Sequence, residues 1–203
     1  MSRVVVVSAG VSDASSSTLL AQQISAAIRR SDPSVSIETV ELRPFAHDVI
    51  DASVTGFVSP RLQHVHDLLV HADGVVAVTP IYKASYTGLF KAFFDAIEQD
   101  VLVGKTVLLA ATGGTARHSL ALDYAMRPLF AYLQAVVVPT GVFASPHDWG
   151  SEGAGALTSR VERAVRELLS LVQGSGSGRS ASDEIDLFSE TMLSISDPLR
   201  QQD

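Results

Sequence analysis

The 203-residue sequence contains no cysteine, which excludes disulfide staples and thiolate chemistry alike. Long apolar runs are missing too. The valines at positions 4 to 7 are too few for a signal-peptide core and far short of the roughly 20 residues that span a bilayer. A cytoplasmic protein without a membrane segment is therefore expected. Positive charge is scarce: 15 Lys and Arg stand against 22 Asp and Glu, for a net charge of −7. With those basic residues scattered, the sequence offers no footprint for a polyanion such as nucleic acid. A single small phosphate is a different matter, because helix N-termini and backbone amides bind one without net positive charge.

Nucleotide and metal motifs are absent as well. After the first apolar run only Gly10 is available, so the G-x-G-x-x-G turn of dinucleotide-binding folds is not formed. Gly104, Lys105 and Thr106 look like the end of a Walker A loop, but its first glycine would fall at Gln99, and the segment runs into a strand instead of out of one. The SAG that ends the first run supplies none of the carboxylates of a response-regulator receiver. His64 and His66 stand two apart, which no helix face accommodates, and no His or carboxylate grouping has metal-ligand spacing. No metal is expected.

What is present is an alternation of two periods. With 46% apolar residues the chain can bury one sizeable core. Five runs rich in β-branched residues and bounded by Gly, Pro, Ser or Asp read as strands: residues 4–8, 35–42, 74–79, 106–112 and 135–140. Helix-period segments separate most of them. Leu19, Leu20, Ile24 and Ile28 share one face of the first segment; Leu62, Val65, Leu69 and Val70 share one face of the next. Leu89, Phe90, Phe93, Phe94 and Ile97 form a wide stripe behind an N-cap at Thr87. Runs apolar on both faces, alternating with helices, predict a parallel sheet covered on both sides. The fold expected is α/β, a flavodoxin-like three-layer sandwich with five parallel strands in the order 2-1-3-4-5.

Two segments depart from this regularity. In ALDYAMRPLFAYLQA, Pro128 interrupts the helical period of Leu120, Tyr124, Leu129 and Leu133. Either a kink or π-bulge near Tyr124 or a split into two helices is expected. A last amphipathic helix closes a domain of residues 1–172, after which 173–184, QGSGSGRSASDE, has the composition of a flexible linker. In the tail, 185–203, Ile185, Leu187, Phe188, Met192, Leu193 and Ile195 suit either a docking segment or a frayed terminus.

Ligands of such sheets bind beyond the carboxyl ends of the strands, near the reversal of strand order. Three loops are therefore candidates. SAGVSDASSSTLLA supplies Ser8, Ser12, Ser15, Ser16, Ser17 and Thr18 ahead of a helix, a phosphate cradle in outline, although Ser15 or Ser16 alone would serve as an ordinary N-cap. In TPIYKASYTGLFK, Pro80 and Ile81 shape an apolar platform, Tyr82 is able to border a flat ring, and Lys83 and Ser85 add donors. ATGGTARHS puts Gly113 and Gly114 at the end of the fourth strand, as a tight turn or as a place where positive φ lets backbone approach a flat ligand. Trp149 in SPHDWG suits either the edge of a site or the cover of the sheet, and packing is the favoured reading.

TPIYKASYTGLFKAFFD closely resembles the signature of NAD(P)H-dependent FMN reductases of the flavodoxin-like superfamily, especially those supplying reduced flavin to two-component monooxygenases. GGTARHSLALDYAMRPL and the serine loop extend the resemblance over roughly the first 145 residues. It implies FMN and NAD(P)H as ligands, hydride transfer from nicotinamide to flavin N5, and no acid–base residue. It further implies that the loop of Pro80 to Ser85 lies along the flavin, that Gly113 and Gly114 touch it, and that Arg117 and His118 serve the nicotinamide nucleotide's phosphates or subunit contacts. A partner monooxygenase and a homodimer or homotetramer with Tyr124 at its interface follow from the same resemblance. Residues 8 to 18 lack the arginine that some relatives carry there, which implies weaker retention of the flavin phosphate. The competing readings are a quinone or azo reductase with bound FMN and a flavodoxin-type carrier or flavin-binding sensor.

Overall fold

Four consecutive valines make a strand because β-branched side chains suit a pleat that is buried on both sides. In the computed structural model, which describes residues 2–12, 14–98, 100–150 and 153–175, β1 (Arg3–Ser8) is buried from Val4 onward. Val4 and Val6 face one helical layer and Val5 and Val7 the other, the period-two alternation of a central strand. After β1 come α1 (Ser16–Ser31), β2 (Ser36–Glu41), α2 (Ala46–Thr55) and α3 (Pro60–Val70). Then β3 (Gly74–Tyr82) turns into the short antiparallel β4 (Ser85–Tyr86), ahead of α4 (Gly88–Ala96) and β5 (Thr106–Thr112). A π-helix (Leu122–Met126), α5 (Arg127–Tyr132), β6 (Val136–Val137), β7 (Val142–Ala144) and α6 (Ala154–Ser175) complete the chain.

The sheet runs β2-β1-β3-β5, with β6 and β7 both on the far side of β5, and these pairings are all parallel. With β6 and β7 counted as one interrupted strand and the hairpin partner β4 set aside, this is the expected order 2-1-3-4-5. One core lies between the sheet and α1 with α6; the other is filled by Phe90, Phe93, Phe94 and Phe130 from α4 and α5, with Leu62 and Leu69 from α3. Among the described residues no helix is long and apolar enough to cross a membrane.

The fifth strand differs from its reading as one run of residues 135–140. Pro139 has no N–H to give the ladder, and at Thr140 the backbone N–H and the hydroxyl both donate to the Glu167 carboxylate on α6, at 2.7 Å each. Pairing resumes only at Val142, opposite Ala110. The helical stripes also need correction, since Leu19 and Val70 are half exposed while Leu20, Ile24, Ile28, Leu62, Val65 and Leu69 are buried. α2 escaped the sequence reading because its apolar pattern is mixed: Val49 and Ala52 are buried, Ile50 and Val54 exposed. At the other end, α6 continues through Gln173 to Ser175, residues read as linker; the rest of the linker and the whole tail lie outside the described residues.

Two local puzzles resolve in the fold. The π-bulge expected near Tyr124 is present at Leu122–Met126, and Pro128 then sits in the first turn of α5, where its missing N–H costs little. The GKT segment has a structural use. Lys105 is buried and its Nζ donates to the carbonyls of Leu69, Val70 and Ala72 at 2.8, 3.0 and 2.7 Å, closing the C-terminal end of α3, where unpaired carbonyls and the helix dipole favour a cation.

Candidate functional site

The loops that follow β1, β3, β5 and β7 meet at the carboxyl edge of the sheet around a cleft of about 460 Å³. That size lies within the roughly 300–1,000 Å³ of small-molecule sites. The first loop folds back on itself: a Cβ on Gly10 would lie 2.2 Å from Ser15 Oγ. Ser15 is the N-cap of α1, its hydroxyl accepting from Ser17 N at 3.2 Å and Thr18 N at 3.4 Å. Ser12, Ser15 and Ser16 all line the cleft, Ser12 and Ser16 exposed, and the Ser15 hydroxyl, an acceptor in the cap, keeps its own proton to donate. Ser17 is buried, and its Oγ lies 2.7 Å from Thr112 Oγ1 at the end of β5. The pair ties α1 to the sheet; two hydroxyls carry two protons and their mutual bond uses one, so one remains to donate into the cleft that both residues line.

The second wall comes from Pro80, Ile81 and Tyr82. Tyr82 is 53% exposed. Beneath it Thr79 Oγ1 accepts from Thr87 N at 3.2 Å, pinning the hairpin to the start of α4, where Thr87 caps Phe90 N as the sequence suggests. The two residues of the hairpin turn, Lys83 at φ 53° and Ala84 at φ 67°, are both left-handed. Two-residue turns that match strand twist require this, and they ordinarily use Asn and Gly. Each non-glycine residue here costs about 1–2 kcal/mol.

Gly113 and Gly114 form the third wall. Neither has the positive φ anticipated for them, which among the described glycines belongs to Gly56 and Gly104. Gly113 is required by space instead: a Cβ there would lie 2.8 Å from Phe143 Cζ. At Gly114 an added Cβ would meet nothing within 4 Å, so that wall is open to a ligand. The fourth wall is Ala144, Pro146 and Trp149; of these only Trp149 was considered for a site edge, and it lines the cleft while 36% exposed. A lone tryptophan just past the last strand of a doubly wound sheet was the available signal. Its loop is held by the Asp148 carboxylate, which accepts from Ser145 N at 2.9 Å and Ser145 Oγ at 2.6 Å, with Arg160 Nη1 3.7 Å away. Partial burial raises the Asp148 carboxyl's pKa, but the Ser145 hydrogen bonds and the Arg160 charge outweigh this and hold it below the usual range.

Of the sequence-predicted site residues, the cleft brings together Ser12, Ser16, Ser17, Pro80, Ile81, Tyr82, Gly113 and Gly114. Ser8, Thr18, Lys83 and Ser85 are not in its wall. Ser8 is buried at the end of β1 with its Oγ unpaired, and Ser85 borders a separate groove beside α4. No carboxylate, imidazole, ammonium or guanidinium lines the cleft among the described residues, and no group of His, Cys, Asp or Glu among them is placed to hold a metal ion.

A family model described as NADPH-dependent FMN reductase matches residues 2–150. An FMN reductase (NADPH) of Pseudomonas aeruginosa is 39% identical over 147 residues, covering 72% of this chain and 78% of that protein. An NADH-dependent FMN reductase of Pseudomonas putida is 47% identical over 106 residues, 51% of this chain and 57% of the relative. Among solved structures, an oxidoreductase from Corynebacterium diphtheriae superposes with a TM-score of 0.81 at 44% identity, covering 86% of this chain and 98% of the other. An NADH:FMN oxidoreductase in its apo form superposes with a TM-score of 0.72 at 29% identity, covering 83% and 90%.

Proposed function

Because the chain belongs to the NADPH-dependent FMN reductase family, we propose that it reduces FMN with NAD(P)H in the cleft at the carboxyl edge of its sheet and supplies the reduced flavin to a partner monooxygenase. The observation that carries this reading is that one cleft joins the hydroxyl-rich N-terminus of α1 to a wall of proline, aromatic and glycine residues. FMN supplies the redox chemistry when bound, accepting a hydride from the reduced nicotinamide.

The chain's residues fit that ligand. Ser12, Ser15, Ser16, the spare proton of the Ser17–Thr112 pair and the Ser16 amide at the start of α1 are donors for a phosphate, and the helix dipole favours its charge. Pro80, Ile81, Tyr82 and Trp149 offer apolar and aromatic surface to a ring, and the open wall at Gly114 permits close approach of backbone. With no acid or base in the wall among the described residues, rate enhancement comes from positioning the two reactants. Among the described residues the wall offers a phosphate neutral donors alone, which suits a product that departs.

The same reading includes a homo-oligomer. Leu120, Tyr124 and Tyr132 are 60%, 80% and 72% exposed, and Tyr124 and Tyr132 line a groove of about 720 Å³ beside α4; a second copy would cover them. Sedimentation of the wild-type chain against Tyr124→Asp tests this, a monomeric wild type being the contrary result. For the activity, NAD(P)H oxidation is measured with FMN titrated in, and the flavin spectrum is taken before and after gel filtration. Saturable turnover with flavin lost on the column is the expected result. Firmly retained flavin without NAD(P)H oxidation would leave a carrier or sensor.

A further inference from the structure

The fourth wall of the cleft is carried by one short 3-10 turn, Pro146–Trp149, which follows β7. Pairing of β7 with β5 ends at Ala144, opposite Thr112, so the sheet does not hold this turn. A single turn of helix is not stable by itself. Where Trp149 stands therefore depends on what the turn is tied to.

The ties run through the two oxygens of one carboxylate. Asp148 Oδ2 accepts from Ser145 N at 2.9 Å and from Ser145 Oγ at 2.6 Å, which closes the turn on itself. Asp148 Oδ1 lies 3.7 Å from Arg160 Nη1 on α6. The same Nη1 donates to the Phe143 carbonyl at 2.7 Å, so one guanidinium nitrogen joins the backbone of β7 to the turn that follows it. Backbone contacts fix the distance it must span. Gly153 N and Ala154 N donate to the Gly150 carbonyl at 3.2 and 3.0 Å, and a Cβ on Gly153 would lie 2.3 Å from the His147 oxygen. The start of α6 is thus pressed against the turn. The Arg160 and Asp148 side chains are 37% and 15% exposed, so their pairing contributes direction more than stability.

We propose that Arg160 is a positioning residue for the flavin: acting through Asp148, it holds the Trp149 ring in place as a wall of the cleft. Arg160 does not itself line the cleft. Its ligand, though not its hold on Trp149, rests on the FMN reductase reading. Because the residue acts through the ring, its effect on FMN is bounded by what the ring contributes, about two- to tenfold in affinity.

Trp149 is the only tryptophan of the chain, so its emission and its quenching by acrylamide report the wall without any flavin. Arg160→Met keeps an apolar stem and removes the donors. In the apo protein the emission is expected to shift to the red and quenching to rise. The FMN dissociation constant, read from flavin fluorescence, is expected to rise about two- to tenfold, with KM for FMN following and kcat at saturating FMN held. Arg160→Lys, which keeps the charge, recovers part of both changes. In a Trp149→Ala background, Arg160→Met is expected to leave FMN affinity unchanged, as for two residues acting along one route. Unaltered emission and affinity in folded Arg160→Met overturn the proposal, as does an undiminished loss of affinity in the Trp149→Ala background. Should Arg160→Met not fold, Asp148→Asn decides: it leaves an oxygen for Ser145, removes the charge facing Arg160, and is expected to move emission and affinity the same way, an unchanged pair being the contrary result. Failure of the underlying reading is distinct, since wild type would then bind no FMN while the apo emission still answers whether Arg160 holds Trp149.

Discussion

Gly113 and Gly114 are adjacent in sequence and line the same cleft, yet the structure gives them different reasons to be glycine. An alanine at 113 would place its Cβ 2.8 Å from Phe143 Cζ, 3.3 Å from Phe143 Cε2 and 3.4 Å from His118 Cβ. Carbon atoms rest about 3.5–4.0 Å apart, so Phe143 must yield. That ring is 6% exposed within the core cluster, and its backbone is held in β7, where Arg160 Nη1 donates to its carbonyl at 2.7 Å. Overpacking at such a site costs about 1–3 kcal/mol; the entropy removed from the unfolded chain returns about 0.4–1 kcal/mol. Gly113→Ala is therefore expected to destabilise by about 1–2 kcal/mol, or about 2–8 °C in Tm for a domain of this size. Gly114→Ala, with no atom within 4 Å of the new Cβ, is expected to be neutral or slightly stabilising, while weakening FMN through intrusion on the open wall. Urea unfolding measures the first quantity and quenching of flavin fluorescence the second. A double-mutant cycle with Phe143→Leu identifies the clash, because the smaller side chain makes room and the pair should cost at least about 0.5 kcal/mol less than the sum. An unchanged urea midpoint for Gly113→Ala, or strict additivity with Phe143→Leu, would refute the argument.

Three further outcomes follow from the geometry. Lys105→Met takes the lysine donor from the Val70 and Ala72 carbonyls, the latter buried, and is expected to cost about 1–3 kcal/mol with kcat unchanged; lost turnover at full stability would instead put Lys105 in the chemistry. His66 is buried against the Phe93 ring with its Nε2 unpaired, and burial lowers its pKa despite the opposing pull of Glu98 and Asp67. The unfolded chain thus takes up a proton that the folded one refuses, so this contribution to stability is complete above the unfolded value near 6.5 and is lost as pH falls toward the folded value. The Tm of His66→Leu should decline less than wild type between pH 7 and 5, and identical slopes would contradict this. Trp149→Ala removes an aromatic wall of the cleft and should weaken FMN about two- to tenfold; an unaltered dissociation constant would mean that the flavin does not touch this wall.

Much of this protein was legible in its sequence because the informative signals are local. β-branched runs and 3.6-residue stripes marked the strands and most helices, their alternation implied the parallel sandwich, and the carboxyl-edge rule directed attention to the loops at Ser12, Tyr82 and Gly114. Pro128 inside a helical pattern announced the irregular turn now seen at Leu122–Met126. α2 was missed because Ile50 and Val54 dilute the stripe that Val49 and Ala52 begin.

What the sequence determined by itself, then, is the layered architecture and the edge at which the cleft opens, since periodicity and chain reversals are properties of neighbouring residues. Only the tertiary structure decided what the loop's hydroxyls bond: Ser15 accepts from the first turn of α1, and Ser17 meets Thr112, 95 positions away. It likewise decided that Glu167 interrupts the fifth strand, that Lys105 closes α3, that Phe143 demands a glycine at 113, and that Trp149 reaches the cleft. Each of these is a contact between residues far apart in the chain. Distances across a folded core are set by the packing of whole layers, which no local pattern of residues encodes.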